Sequence, residues 1–361
     1  MKKDPRIDLV RELCEAEGIS GHERAISRIM KRHVESLVNR IEYDNLGSII
    51  AVKQGLDDQP KIMIAGHMDE IGFLVSRIEE DGYLRLHPIG GWWPHVLLSQ
   101  RVHVTTREGK QFLGIIGSVP PHGMPAEQRG KVMEMKQLFV DLGIKGKKAV
   151  EELGICPGDP VTPIASFEQM ADPKYWVGKA FDDRIGVGVV IETLKSLEGV
   201  DHPNTVYGVG TVQEEVGLRG ARTAAYSVQP DIAFAIDTTL ANDVPGAAPG
   251  DAKLGAGVAI SLADSSVIGH RGLIATLEVI AKEENIPFTF DMLAAGGTDS
   301  GEIHKMGRGV INCTLSIPER YVHAHNGMIH ETDYDAAIRL LTAFIKRCDR
   351  AMLEELRSSK R

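Results

Sequence analysis

The chain has 361 residues, 43% apolar and 25% charged, which excludes a disordered or fibrous chain and suits about two globular domains. Asp and Glu number 50 against 41 Lys and Arg, a net charge of −9 that argues against nucleic acid as a partner. No apolar run approaches the roughly 18 residues of a membrane span, so no membrane partner is expected either.

In chain order, Ile7, Val10, Leu13 and Cys14 suit the buried face of a first helix, ended by Gly18–Gly21. A second helix from about Glu23 places Ile26, Ile29, Met30, Val34 and Leu37 on one side. Short strands are expected at 41–43 and 48–52, and a buried strand at Lys61–Ala65. From about Gly72 to Thr162 the pattern changes to short strands at 73–77, 83–86, 101–105 and 112–116, with a helix only at 147–153. This block reads as a β-rich insert. Beyond Gly178, helix and strand alternate: helix 184–197, strand 206–213, helix 218–226, strand 232–236, helix 272–284, strand 288–293, helix 300–305, strand 310–315 and a final long helix 334–356. Such alternation predicts an α/β fold with a mixed, largely parallel sheet flanked by helices. Cys14, Cys156, Cys313 and Cys348 show no CxxC spacing, and the start MKKDPRIDLVREL has no apolar signal core. Together these read as a cytoplasmic protein with reduced thiols.

Open α/β sheets build their sites beyond the carboxyl ends of the strands, and that is where the acids and histidines fall. His67 and Asp69 follow KIMIA at i, i+2; they suit a metal ligand with its orienting carboxylate, or a satisfied core histidine. Asp182 and Asp183 open a helix, as ligands or as an N-cap with a dipole partner. Glu214 and Glu215 follow a strand, where neighbours face different ways: one could ligate and the other move protons. Asp237 lies just past IAFAI, at the sheet rim or in a turn. His323, His325 and His330 cluster after the strand VINCTLSI, preceded by Arg320 and Tyr321, and spacing does not choose among them. The turn Gly296–Gly301 offers backbone amides to a substrate or a plain N-cap at Thr298 or Asp299. Pro120-Pro121-His122 reads as a rigid loop with an exposed His, or as a segment facing the site. Imidazoles plus carboxylates without thiolate suit zinc, cobalt or manganese. There are more acids than one catalytic zinc needs, which points to a two-metal hydrolytic site.

The ordered motifs GHMDEIG, KAFDDRIG, QEEVGLRGA, AIDTT, GGTDSG and IPERYVH resemble the tetrahedral (TET-type) di-metal aminopeptidases, a family that includes glutamyl and deblocking aminopeptidases and some members called endoglucanase. The resemblance covers nearly the whole chain. It implies a di-zinc exopeptidase-type domain over residues 1–70 and 165–361, interrupted by a β-rich dimerisation domain over 71–164. It implies two divalent ions per subunit, zinc or cobalt. His67 and Asp237 would each hold one ion, Glu215 and His323 the other, with Asp182 bridging. Glu214 would be the general acid/base and Asp69 would orient His67. A cis bond between Asp182 and Asp183 is also implied. The sequence departs from the family pattern after His323, at Ala324-His325-Asn326-Gly327.

The expected activity is metal-dependent removal of single residues from the free N-terminus of peptides, in a homo-oligomer ranging from a dimer to a tetrahedral dodecamer. The alternatives are a di-metal deacylase or carboxypeptidase and, less favoured, a glycoside hydrolase. For the last, adjacent Glu214 and Glu215 are poorly placed to flank a sugar bond.

Overall fold

The structure is a computed structural model that describes residues 4–360. Helices α1 (Pro5–Glu15) and α2 (Arg24–Val34) lead into strands β1 (Arg40–Tyr43), β2 (Ile49–Lys53) and β3 (Lys61–His67). Residues 72–163 then form a closed barrel of β4 (Gly72–Ile78), β5 (Leu84–Ile89), β6 (Arg101–Thr105), β7 (Gln111–Gly117), β8 (Phe139–Asp141) and β9 (Pro160–Pro163), with helix α3 (Lys147–Glu152) beside it. Short strands β8 and β9, which the sequence reading lacks, complete the closure by pairing with β5 and β7 and with β4 and β6. The barrel has its own core, built from Phe73, Val75, Val102, Val104, Ile116, Val140 and Val161.

The rest of the chain completes the first unit. It comprises β10 (Glu168–Gln169), β11 (Tyr175–Gly178), α4 (Phe181–Ser196), β12 (Thr205–Thr211), α5 (Arg219–Val228), β13 (Ile232–Leu240), β14 (Val258–Ala263), α6 (Arg271–Glu283), β15 (Phe288–Met292), α7 (Ser300–Ile303), β16 (Ile311–Glu319), β17 (Gly327–His330), α8 (Glu331–Arg347) and α9 (Arg350–Ser358). Eight strands form one sheet in the order β1-β2-β12-β3-β13-β16-β14-β15. The central pairs β12/β3, β3/β13 and β13/β16 are parallel, as is β14/β15; β1/β2, β2/β12 and β14/β16 are antiparallel. This is the mixed, largely parallel sheet expected from the alternation.

Strand alternation sorts residues by size. Ile62, Ile64, Phe234 and Ile236 face α4 and α8, whereas Met63, Ala65 and Ala233 face α5. α5 returns small residues, Ala221, Ala224 and Ala225, at helical spacing. The middle of α4, Ile185–Ile191, is apolar all round because it lies between the sheet and α1, α2 and α8.

Three expectations need correction. β13 and β16 run on past Ile236 and Leu315 and stay paired as far as Leu240 and Glu319, so Asp237 sits within a strand and not beyond it. Strand β14 is additional to the expected elements, although Val258, Ile260 and Leu262 alternate with small residues at strand period. The final helix is two. Cys348 is extended, and the Asp349 carboxylate accepts the Met352 N–H at 2.9 Å, starting α9 afresh.

Candidate active site

β12, β3, β13 and β16 are consecutive parallel neighbours, so their carboxyl ends open onto one rim. Register places Thr211 beside His67 and Asp237 beside Ser316. Gly66, one residue before His67, makes a further approach possible. A Cβ there would lie 2.5 Å from the Gly186 carbonyl carbon and 2.6 Å from the Val187 nitrogen, so only glycine lets the start of α4 rest on β3.

The two aspartates of α4 divide their work. Asp183 turns inward, accepting the Gly186 N–H at 2.9 Å and the His67 N–H at 3.0 Å, and so acts as the cap of the regular helix that follows. Asp182 turns to the rim. Its Oδ1 is 3.0 Å from His67 Nε2 and its Oδ2 is 3.4 Å from His323 Nε2. One carboxylate thus presents a different oxygen to each imidazole. The peptide bond between the two aspartates is cis.

Asp69 organises the opposite wall. Its carboxylate accepts the Glu214 N–H at 3.0 Å, the Glu215 N–H at 3.1 Å and the Ser20 hydroxyl at 2.6 Å. These bonds fix the turn after β12, so the neighbouring glutamates leave it in different directions. Glu215 Oε2 lies 3.4 Å from His323 Nε2, and Glu214 Oε2 lies 3.9 Å from His67 Nε2. His67 Nδ1 is 3.0 Å from the Asp69 main-chain oxygen and 3.5 Å from its carboxylate. A carbonyl only accepts, so Nδ1 carries a hydrogen, and Nε2 is the nitrogen turned toward Asp182.

The histidine cluster separates in space. His323 alone reaches the carboxylates. His325 is buried against Trp92, with ring centroids 5.6 Å apart. His330 caps α8, its Nδ1 accepting the Thr332 N–H at 3.2 Å. The turn Gly296–Gly301 does not carry the plain cap expected of it. Asp299 makes no cap bond, and its buried carboxylate accepts the Thr211 hydroxyl instead. Pro121–Gly123 is an exposed turn.

Burial and mutual repulsion dominate the electrostatics. Burial raises Glu214 and Asp237 well above the usual carboxylate range, with Asp237 and Glu215 adding to the first and Asp182 to the second. Burial, then Asp182, lifts Glu215 to about 8. Burial lifts Asp299 to about 6. Burial works against protonation of His323, yet Asp182 and Glu215 hold it up at about 10. Asp182 is the exception: its two imidazole neighbours overcome burial and keep it low. Acids therefore outnumber cations in a dry pocket, a state that bound cations would relieve. Among the described residues, two groups bring ligand atoms within 4.8 Å of one another: His67, Asp182 and Glu215, and His67, Glu214 and Asp237. Glu215 Oε1 is buried without a partner. An all N/O donor set with an orphaned carboxylate oxygen fits divalent transition metals.

Three supporting features have no counterpart among the residues expected from the motifs. Glu70 is buried beneath the site against Lys179 and Arg184. Glu319 lines the same small cavity as Asp182, Glu215 and His323, its Oε2 unpartnered. Gly91 of the barrel accepts from His323 Nδ1 at 2.7 Å. Glu70 and Glu319 lie inside the quoted motifs GHMDEIG and IPERYVH, but nothing in their spacing shows what they touch.

The model of the M42 glutamyl aminopeptidase family matches residues 47–340. The chain belongs to the M42 aminopeptidase family. It is 39% identical over 342 residues to FrvX of Escherichia coli (strain K12), covering 94% of each chain. A TET aminopeptidase from the marine sediment archaeon Thaumarchaeota archaeon SCGC AB-539-E09 is 41% identical, with a TM-score of 0.95 over 98% of this chain and 100% of that one. The TET1 peptidase of Pyrococcus horikoshii, described as assembling into a tetrahedron or a large octahedral shell, is 31% identical with a TM-score of 0.86 over 95% of this chain and 100% of that one. Among the described residues of this M42 chain, no helix is long and apolar enough to cross a membrane.

Proposed function

We propose that this M42 chain is a metal-dependent aminopeptidase that releases single residues from the free N-terminus of peptides with two divalent ions, zinc or cobalt. The observation that carries this reading is Asp182, whose two oxygens face His67 and His323 separately in a pocket crowded with buried acids. In this reading His67 and Asp237 would hold one ion and Glu215 and His323 the other, with Asp182 available to both. When bound, the pair supplies Lewis-acid polarisation of the scissile carbonyl and of the attacking water near neutral pH. Glu214 takes the water's proton and returns it to the leaving amine. Its burial and its acidic neighbours raise its proton affinity toward what that exchange needs. Asp69 holds Glu214 and Glu215 by their backbones and His67 by its carbonyl.

We read residues 1–70 and 165–361 as the peptidase domain and the barrel region 71–164 as a dimerisation domain. Leu113 and Ile115, on one face of β7, are exposed on it, which suits a surface where copies meet. Larger shells, up to a dodecamer, follow from the likeness to TET peptidases. A cytoplasmic setting suits the four free cysteines.

The test is a matched peptide pair, one with a free N-terminus and one acetylated, assayed after chelation and after zinc or cobalt is restored. The expected result is metal-dependent release of the first residue from the free peptide only. Cleavage of the acetylated peptide alone would replace this reading with a deacylase.

A further inference from the structure

The two candidate ligand histidines are oriented in the same manner but from different parts of the molecule. His67 Nδ1 faces a carbonyl of its own segment, that of Asp69. His323 Nδ1 faces the Gly91 carbonyl at 2.7 Å, and Gly91 follows barrel strand β5. His67 is buried on a strand, whereas the His323 side chain is 36% exposed on a loop. That loop is strained: Tyr321 and His323 have φ of 66° and 58°. On its Nε2 side the His323 ring has only the longer contacts to Asp182 and Glu215, each 3.4 Å, so the Gly91 carbonyl is its shortest partner among the described residues.

The barrel segment that supplies the carbonyl is itself pinned. The Trp92 ring stacks on Phe73 at 5.0 Å and 15°, its Nε1–H donates to the Gly72 oxygen at 2.9 Å, and its other neighbour is His325. There is no slack at the contact. A Cβ on Gly91 would lie 3.1 Å from His323 Nδ1, and one on Gly90 would lie 3.2 Å from Glu215 Oε2.

We infer that the barrel is part of the site: the Gly91 carbonyl, held in place by Trp92, sets the tautomer and direction of His323, and so tunes the affinity of one of the two ions without touching the other. Gly91 and Trp92 are positioning residues. The carbonyl takes the Nδ1 hydrogen and aims Nε2 at the space between Asp182 and Glu215. Outer partners of ligand histidines commonly contribute 10–100-fold in metal affinity. The inference rests on the two-ion reading above.

The test is zinc binding by calorimetry and bound-metal analysis on the stripped full-length protein, with Gly91→Ala, Trp92→Phe and, as a control in the β6–β7 turn, Glu108→Gln. The wild type and the control are expected to bind two zinc ions per chain. Gly91→Ala is expected to keep one ion unchanged and hold the other about 10–100-fold more weakly. Trp92→Phe, which keeps an aromatic ring against Phe73 but loses the Gly72 bond and part of the indole's packing, is expected to weaken the same ion less, and it decides the matter if Gly91→Ala does not fold. Unchanged affinities in the variants overturn the inference, and so does equal weakening of both ions. A wild type that binds no zinc refutes the two-ion reading instead.

Discussion

Glu70 gives the sharpest stability prediction. It is 2% exposed, and its oxygens lie 2.7 Å from Lys179 Nζ and 3.2 Å from Arg184 Nη2, with the Gly18 N–H at 3.1 Å. Lys179 and Arg184 are also buried, and Arg184 in addition holds the carbonyls of Leu13, Ala16 and Gly18 at the end of α1. At an effective dielectric of about 20, each contact near 3 Å is worth about 5 kcal/mol before desolvation is subtracted. Glu70→Gln keeps the shape but leaves two buried cations without a counter-charge, and is expected to cost about 3–5 kcal/mol. Lys179→Met should cost less, because Arg184 still neutralises the carboxylate. The double variant should be more stable than the sum of the two losses implies. The assay is urea unfolding at fixed protein concentration, read by tryptophan fluorescence, with Trp176 fully buried between Phe167 and Tyr334. A loss below about 1 kcal/mol for Glu70→Gln, or strict additivity in the double variant, would show that the charges are not coupled as the geometry requires.

Glu214→Gln is expected to lower kcat by about 10²–10⁴-fold while zinc stoichiometry stays unchanged, checked by steady-state kinetics beside bound-metal analysis. Loss of an ion in that variant would make Glu214 a ligand. Asp182→Asn should weaken both ions in the same calorimetric titration, since both imidazoles face that carboxylate. The pH prediction concerns His270, whose Nδ1 accepts the Leu273 N–H and caps α6, so the cap needs neutral imidazole. Burial, then Lys360, lowers its folded pKa below the unfolded value near 6.5. Its contribution is therefore complete above about pH 6.5 and is lost as pH falls through the folded pKa. His270→Asn keeps a cap that does not titrate. It should match the wild type at pH 8 to within about 1 kcal/mol and lose less stability on acidification, as measured by urea midpoints across pH. An equal acid loss in both proteins would refute the role of His270.

The sequence by itself determined the α/β class, the β-rich block near 72–163 and the residue types at the rim, because period and apolar runs are local properties of the chain. It also singled out acids and imidazoles as candidate N/O donors, since most of them fall near where parallel strands end. What it left open was direction. Asp182 and Asp183 are equivalent on paper, and only the packing of Gly66 against Gly186 sends one to the rim and the other into a cap. His323, His325 and His330 share one short segment. They part because Trp92 takes the second and the start of α8 takes the third. The break at Cys348 and Asp349 was missed because apolar residues continue at helical spacing on both sides of it. Glu70 with Lys179 and Arg184, and Gly91 with His323, join residues more than a hundred positions apart. Such pairs exist only once the sheet order and the barrel's placement bring them together, and no local pattern encodes them.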